Sequence, residues 1–232
     1  MTQAIVTGCT GFIGNAICET FRQEGTTVVG MDLGPRPERW KGAYAQADLS
    51  NLPDALAALE KTFDDDGVPD VLVNNAGVFR PSNFLDVTPE DYALTLDVNA
   101  RAMFFFCQTF AKALIAEGRG GSIVNLASIS GVLGSPTVEY STSKGAVMSM
   151  TKSLGRVLAP HNIRVNAVAP GLVATPMTES LPSEQMAQQL SVVPMNRQGR
   201  PKEIAQVVAF LAGDSTSYMT SEIVKIHGGW FS

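Results

Sequence analysis

Seven short apolar runs alternate along the chain with longer stretches in which apolar residues recur every three or four positions. The runs are "QAIVTG" (3–8), "TTVVGMD" (26–32), "AYAQAD" (43–48), "DVLVNNAG" (70–77), "GSIVNLAS" (121–128), "IRVNAVAP" (163–170) and "EIVKIHGG" (222–229). Most are nearly continuous in Val, Ile, Leu and Ala. A strand covered on one face alternates apolar and polar residues, whereas one covered on both faces does not, so these runs predict a parallel sheet. Between them, Ile13, Ile17 and Phe21 mark a helix over 12–24 that Gly25 stops. Further helices are expected over 53–63, 89–117, 140–158 and 201–212, with Val147, Met150, Leu154 and Val157 giving the fourth its stripe. Strand, helix, strand, repeated, predicts an α/β fold, one doubly wound domain over 1–232 with about seven parallel strands and helices on both faces. No linker, repeat or low-complexity segment interrupts it.

Composition narrows the function classes. The chain has 232 residues, 45% hydrophobic and only 17% charged, which fits a folded domain and argues against disorder. The net charge is −5 with no run of Lys and Arg, so neither nucleic acid nor an anionic membrane is an expected partner. The longest apolar stretch, "AMFFFC", is far short of the roughly 20 residues that span a bilayer. A strand starting near Ala4 leaves no room for a signal peptide, so a cytoplasmic location is expected. Cys9, Cys18 and Cys107 form no CxxC pair and predict buried, inert thiols. Two histidines, His161 and His227, argue against a metal site.

The first candidate chemistry follows the first strand. "IVTGCTGFIG" places Gly8, Gly11 and Gly14 in a GxxGxxG turn that opens a helix. Glycine there permits the tight turn, lets backbone N–H groups approach a pyrophosphate and lets helix pack on strand. The helix N-terminus then faces the anion. Asp32 ends the second strand, where a carboxylate accepts from the ribose hydroxyls of NAD and repels the 2′-phosphate of NADP. The expected cofactor is therefore NAD rather than NADP. Arg36, four residues on, is within reach of a phosphate but equally fits a solvated loop charge.

The second is "EYSTSKGAV", in which Tyr140 and Lys144 lie one helical turn apart on one face. By itself the pair fits either a solvated helix face or a phenol tuned by a cation. With the other motifs around it, the chain resembles the short-chain dehydrogenase/reductase family over nearly its whole length. The motifs, in the family's order, are Thr7–Gly14, "DL" at Asp48–Leu49, "NNAG" at Asn74–Gly77, Asn99 in "LDVNA", Ser128 in "NLASISG", "YSTSK" at Tyr140–Lys144 and "PGLVATPM" from Pro170. "RQGRPKEIAQVVAFLAGD" is similar to the family's final helix region.

The resemblance implies a Rossmann NAD(P)-binding domain and a role for each matched residue. Tyr140 is the general acid/base, Lys144 lowers its pKa and binds the nicotinamide ribose, Ser128 holds the substrate oxygen, and Asn99 orders a relay water. Asp48 and Leu49 bracket the adenine, and Asn75, Ala76 and Gly77 lie along the cofactor. Val173 and Thr175 hold the carboxamide. Phe12 and Ile13 at the helix start, with Pro170 and Gly171 at the later turn, complete the cofactor set. Structural roles also fit several of these: Ser128 ends a strand, Asn99 is an amide inside a helix, and Asn74 and Asn75 can tie strands together.

Some features depart from the family pattern. The compact branch spaces its glycines GxxxGxG, whereas GxxGxxG is typical of the extended branch, whose epimerases and dehydratases carry an extra C-terminal substrate region. The chain stops at Ser232, which predicts a compact enzyme with an unusual phosphate turn. Ser221 and His227 stand where the family usually has Gly and Asp.

Residues 174–196 are rich in Met, Leu and Val and are expected to cover the substrate as a lid. Substrate contacts are expected from Ser128, Ser130, Val132, Leu133, Tyr140 and Met177. No Arg or Lys lies in "SISGVLGSPTVE", which points to a neutral, modestly apolar alcohol or ketone. The leading expectation is an NAD(H)-dependent oxidoreductase interconverting a secondary alcohol and a ketone. An NADPH-dependent 3-oxoacyl-thioester reductase, a sugar-nucleotide epimerase or dehydratase, and a cofactor-sensing regulator without turnover are the alternatives. Relatives are often tetramers, and Phe104, Phe105 and Phe106 cannot all face one side of a helix, so a homo-oligomer, tetramer or dimer, is expected.

Overall fold

The computed structural model describes residues 2–81, 83–175 and 183–230. All seven expected strands form: β1 (Gln3–Thr7), β2 (Thr27–Asp32), β3 (Tyr44–Gln46), β4 (Val71–Asn74), β5 (Gly121–Leu126), β6 (Ile163–Pro170) and β7 (Ile223–Ile226). They pair in parallel in the order β3-β2-β1-β4-β5-β6-β7. The helices are α1 (Phe12–Gln23), α2 (Leu52–Asp66), α3 (Pro89–Leu96), α4 (Ala102–Ala116), α5 (Ser130–Leu133), α6 (Val138–Leu158), α7 (Ser183–Ser191) and α8 (Pro201–Ala212).

The continuous apolar strands have the expected cause. Along β1, Ile5 faces one core with Leu72, Ile123 and Val165, while Ala4 and Val6 face the other with Val71, Val73 and Val124. The first core is closed by Leu59 of α2, Phe106 and Phe110 of α4, and Val147 of α6. The second is closed by Ile17 and Phe21 of α1 and by Ile204 and Val208 of α8. Each fully buried side chain of this size contributes about 1.5–3 kcal/mol, so shifting a strand by one residue would exchange two apolar faces rather than expose one.

Strand order reverses between β1 and β4, and in open α/β sheets ligands bind outside the carboxyl ends of strands at such a point. Here the glycine-rich turn leaves β1, and the segment from Asn75 leaves β4. Several apolar runs outlast their strands: β4 ends at Asn74 and β5 at Leu126, so Asn75–Gly77 and Ser128 project from the sheet into the crevice. The helix expected over 89–117 is interrupted. Thr88 caps α3 by accepting from the Asp91 N–H (3.1 Å), but Asp97–Arg101 form a π-turn before α4 begins. Such turns recur at functional sites because the widened ring re-aims side chains. This one holds Asn99, which has no exposure at all.

Among the described residues no helix is long and apolar enough to cross a membrane, and no group of three or more His, Cys, Asp or Glu is placed to hold a metal. All three cysteines are buried and unpaired; burial pushes the Cys18 and Cys107 thiols up to about 12, and Cys9 higher still, so thiolate chemistry is suppressed.

Candidate active site

The glycine-rich turn is built for close backbone approach. Gly8 has φ +64°, where a side chain is strained, and a Cβ there would meet the Ala76 Cα at 2.8 Å. At Gly14, inside α1, a Cβ would meet the Gly8 carbonyl oxygen at 2.0 Å. The turn is fixed from both sides. Gly8 N–H donates to the Met31 carbonyl (2.8 Å), and the Asn75 side chain donates to the carbonyls of Thr7 (2.9 Å) and Gly8 (3.0 Å). Thr7 Oγ1 accepts from the main-chain N–H groups of Asn75 (3.1 Å) and Ala76 (3.0 Å). Despite the unusual spacing, the result is a compact turn at the start of α1 whose three glycines carry no Cβ, and it fits a pyrophosphate. Gly14→Ala is expected to force the turn off the helix, lower stability by about 1–3 kcal/mol and abolish nucleotide binding. A variant that melts with the wild type and still binds NADH would show that the turn tolerates the methyl group.

Asp32 lies beside this cradle and Oδ2 accepts from both the N–H (2.8 Å) and Oγ1 (2.7 Å) of Thr10. Asp48 is turned to its own loop, accepting from Ser50 N–H (2.9 Å) and Oγ (2.7 Å). Leu49 is only 9% exposed and packs in the first core. Phe12 is 56% exposed at the first position of α1. Arg36 donates to the Trp40 carbonyl (3.3 Å) rather than standing free in solvent.

A cleft of about 190 Å³ opens at the carboxyl ends of β4, β5 and β6. It brings together Ile13, Asn75, Gly77, Ser128, Tyr140, Lys144, Pro170, Gly171, Val173 and Thr175 from the expected set. Ala76 adjoins the cradle. Ser130, Val132 and Leu133 lie on α5, just past Ser128; Val132 and Leu133 are more than a third exposed and are not among the cleft walls. Met177 and the lid residues 176–182 lie outside the described residues, while α7 forms within the remainder of that segment.

Helix α6 presents Tyr140 and Lys144 on one face, with the ammonium 5.7 Å from the centre of the phenol ring. Lys144 is 4% exposed and donates to the Leu126 carbonyl (2.7 Å) at the end of β5. Burial lowers its pKa from 10.5 to about 8. Burial pushes the Tyr140 phenol up, partly offset by a hydrogen bond with Ser128. The lowering expected of a cation one turn away is thus not what the protein shows by itself, because the phenol is buried and the ammonium is turned to the Leu126 carbonyl. Ser128 Oγ also accepts the Ser130 N–H (3.1 Å), which fixes its lone pair and leaves its proton to be directed at an oxygen in the cleft.

Asn99 is fully engaged. Its Oδ1 accepts from Val78 N–H (2.7 Å), and its Nδ2 donates to Val78 carbonyl (2.9 Å) and Ser143 Oγ (3.1 Å). Asn74 Nδ2 donates to Asn125 Oδ1 (2.9 Å), and Asn125 Nδ2 donates to Thr151 Oγ1 (3.0 Å), a buried chain that ties β4 and β5 to α6. Four cleft residues escaped sequence reasoning: Val78, Phe79, Leu126 and Ala127. The Phe79 ring meets Tyr140 edge-on, centroids 4.9 Å apart at 82°. Its one sequence signal was an aromatic residue two positions past the NNAG glycine, in a loop without periodicity.

Comparison with known proteins agrees with this geometry. The sequence profile of the family described as Enoyl-(Acyl carrier protein) reductase matches residues 10–231. A 3-oxoacyl-(acyl-carrier-protein) reductase of Thermotoga maritima is 39% identical, over 97% of this chain and 96% of its own. A 3alpha-hydroxysteroid dehydrogenase of Mediterraneibacter gnavus is 36% identical, over 97% of this chain and 95% of its own. Among solved structures, a 4-hydroxyisoleucine dehydrogenase complexed with NADH superposes with TM-score 0.93 at 27% identity, covering 99% of this chain and 98% of its own. A putative 2-deoxy-D-gluconate 3-dehydrogenase from Agrobacterium tumefaciens with bound NADP gives 0.92 at 32% identity, covering 99% and 96%.

Proposed function

The chain belongs to the short-chain dehydrogenase/reductase family and is an oxidoreductase, and from that premise we propose that it interconverts a secondary alcohol and a ketone with NAD(H) as cofactor. The observation that carries the reading is the convergence of Ser128, Tyr140 and Lys144 on one small cleft beside the glycine-rich turn. The nicotinamide supplies or accepts the hydride when bound. The side chains do the rest. Ser128 holds the carbonyl or alcohol oxygen, and Tyr140 Oη gives it a proton or takes one away. Lys144, with a pKa of about 8, is mostly protonated at neutral pH and returns that proton to the phenol. Asn99, its side chain bonded to Val78 and Ser143, stands with Lys144 beside Gly77, where it would order a relay water.

The cleft supports a neutral, modestly apolar substrate. Val78, Phe79, Val173 and Ile13 supply apolar wall, and Lys144, turned to Leu126, is the one charged side chain among its described lining residues. Residues 174–196 serve as the lid of this one domain. Phe104 on α4 and Val157 on α6 are 43% and 65% exposed, which supports burial against a second copy in a cytoplasmic homo-oligomer.

A second reading has a specific observation in its favour. A groove of about 570 Å³ is lined by Thr10, Glu19, Arg22, Arg39 and Lys41, three cations of the kind that meet a 2′-phosphate against one carboxylate. Arg22 is engaged, lying 4.4 Å over the Trp40 ring and donating to the Lys41 carbonyl (2.7 Å). Arg39 and Lys41 are exposed. Thermal melting with each reduced nucleotide separates the readings. At 100 times its dissociation constant a ligand adds about 2.7 kcal/mol, a rise of roughly 5–10 °C for this length. We expect the larger rise with NADH. A larger rise with NADPH would move the assignment to an NADPH-dependent reductase, and no rise with either would sink the oxidoreductase cofactor site as drawn.

A further inference from the structure

Asp32 has less acceptor capacity to offer than its position suggests. A carboxylate presents about four lone-pair directions. Two on Oδ2 are taken by the N–H (2.8 Å) and Oγ1 (2.7 Å) of Thr10, and one on Oδ1 by the N–H of Leu33 (2.8 Å). One direction remains, on Oδ1. A ribose diol has two hydroxyls to donate, so gripping both requires Asp32 to release one of its present partners.

The Thr10 hydroxyl is the partner the fold needs least. The turn is held to β2 by Gly8 N–H on the Met31 carbonyl (2.8 Å) and to β4 by the Asn75 side chain on the Thr7 and Gly8 carbonyls. Thr10's own N–H also remains on Asp32 when its hydroxyl is removed. What the hydroxyl does beyond anchoring is fill an acceptor and offset negative charge at the point where the adenosine ribose must be read.

We propose that Thr10 Oγ1 is a specificity-determining group that blunts the preference of this chain for NAD(H) over NADP(H). By occupying Oδ2 it restricts Asp32 to one ribose hydroxyl, and by donating to the carboxylate it softens repulsion of a 2′-phosphate. The proposal rests on the nicotinamide reading above. It also gives the exposed Arg39 and Lys41, in the groove that Thr10 helps to line, a reason to coexist with an acidic ribose ligand.

The test is fluorescence titration of NADH and NADPH into wild type, Thr10→Val, Thr10→Ser and the double variant Thr10→Val with Asp32→Asn. Thr10→Val keeps the side-chain size and removes the donor. It is expected to bind NADH about fivefold or more tightly than wild type, with NADPH unchanged or weakened, as one added hydrogen bond to a charged group implies. Thr10→Ser keeps the wild-type ratio, and the double variant loses the gain because the freed oxygen is gone. If Thr10→Val weakens both nucleotides equally, the hydroxyl only braces the turn and the proposal is overturned. An unchanged NADH-to-NADPH ratio overturns it as well. Wild-type protein that binds neither nucleotide overturns the cofactor reading, and this inference with it.

Discussion

Tyr140→Phe is expected to lower kcat for ketone reduction by about 10²–10⁴-fold, the range that removal of a positioned general acid produces. The substitution removes one oxygen and leaves the ring. The edge-on contact with Phe79 at 4.9 Å therefore survives, and so does the packing of α6 on β5. Lys144 keeps its bond to the Leu126 carbonyl, which does not involve the phenol. NADH affinity should thus stay within about threefold of wild type, less than the change from one lost hydrogen bond. Loss of kcat with retained binding is the signature of an interaction made only in the transition state. Steady-state kinetics on any ketone that the wild type reduces, with an NADH titration alongside, makes the comparison. Turnover within tenfold of wild type would mean that another group supplies the proton, and Ser128 would be the next candidate.

The state of the phenol follows from what surrounds it. Burial holds Tyr140 above its ordinary pKa, and Ser128 is the neighbour that pulls it back. A phenol raised in this way is a weaker acid than an unperturbed one, but it keeps its proton at neutral pH and so has it to give in ketone reduction. In the oxidative direction the positive charge of the oxidised nicotinamide favours the phenolate, so the burial of Tyr140 is matched to a site in which the cofactor completes the electrostatics.

Much of this arrangement is legible in the sequence, for a physical reason. Strands buried on both faces carry continuous apolar runs, so β1, β2, β4, β5 and β6 announce themselves, and with them the crevice at the β1–β4 reversal. The strand ends are less legible: "DVLVNNAG" and "GSIVNLAS" run on past Asn74 and Leu126 without a Pro or a charge to break them, yet Asn75–Gly77 and Ala127–Ser128 leave the ladder. The π-turn at Asp97–Arg101 keeps apolar spacing on either side and so leaves no trace in periodicity. Val132 and Leu133 were placed on the cleft because they follow Ser128, but α5 carries them to its exposed flank. Phe79 and the partners of Asp32, Lys144 and Asn99 are tertiary facts. No local pattern encodes that an ammonium will reach Leu126 or that an amide will close on Val78.

Lys144→Met should inactivate the enzyme and yet stabilise the nucleotide-free protein at neutral pH. Lys144 is 4% exposed, and burial alone accounts for its drop from 10.5 to about 8. The charged form is therefore less favourable in the folded state than in the unfolded one, by about 3 kcal/mol for a displacement of that size. Methionine fills similar space without a charge. It does abandon the Leu126 carbonyl, which loses a hydrogen bond worth about 1–2 kcal/mol. The burial effect is the larger, so a net gain of about 1–2 kcal/mol is expected, or roughly 2–8 °C in Tm for this length. The sign with pH follows from linkage. Between pH 8 and 10.5 the unfolded chain binds more protons at this site than the folded one, so wild-type stability rises with pH through that window. The advantage of the variant is thus full below about pH 8 and shrinks toward pH 10.5. Urea unfolding of both proteins at pH 7 and pH 9.5 reads the difference directly. A variant less stable than wild type at pH 7, or an advantage that does not shrink at pH 9.5, would mean that Lys144 is a structural donor to β5 rather than a cation held at the active site against the preference of the fold.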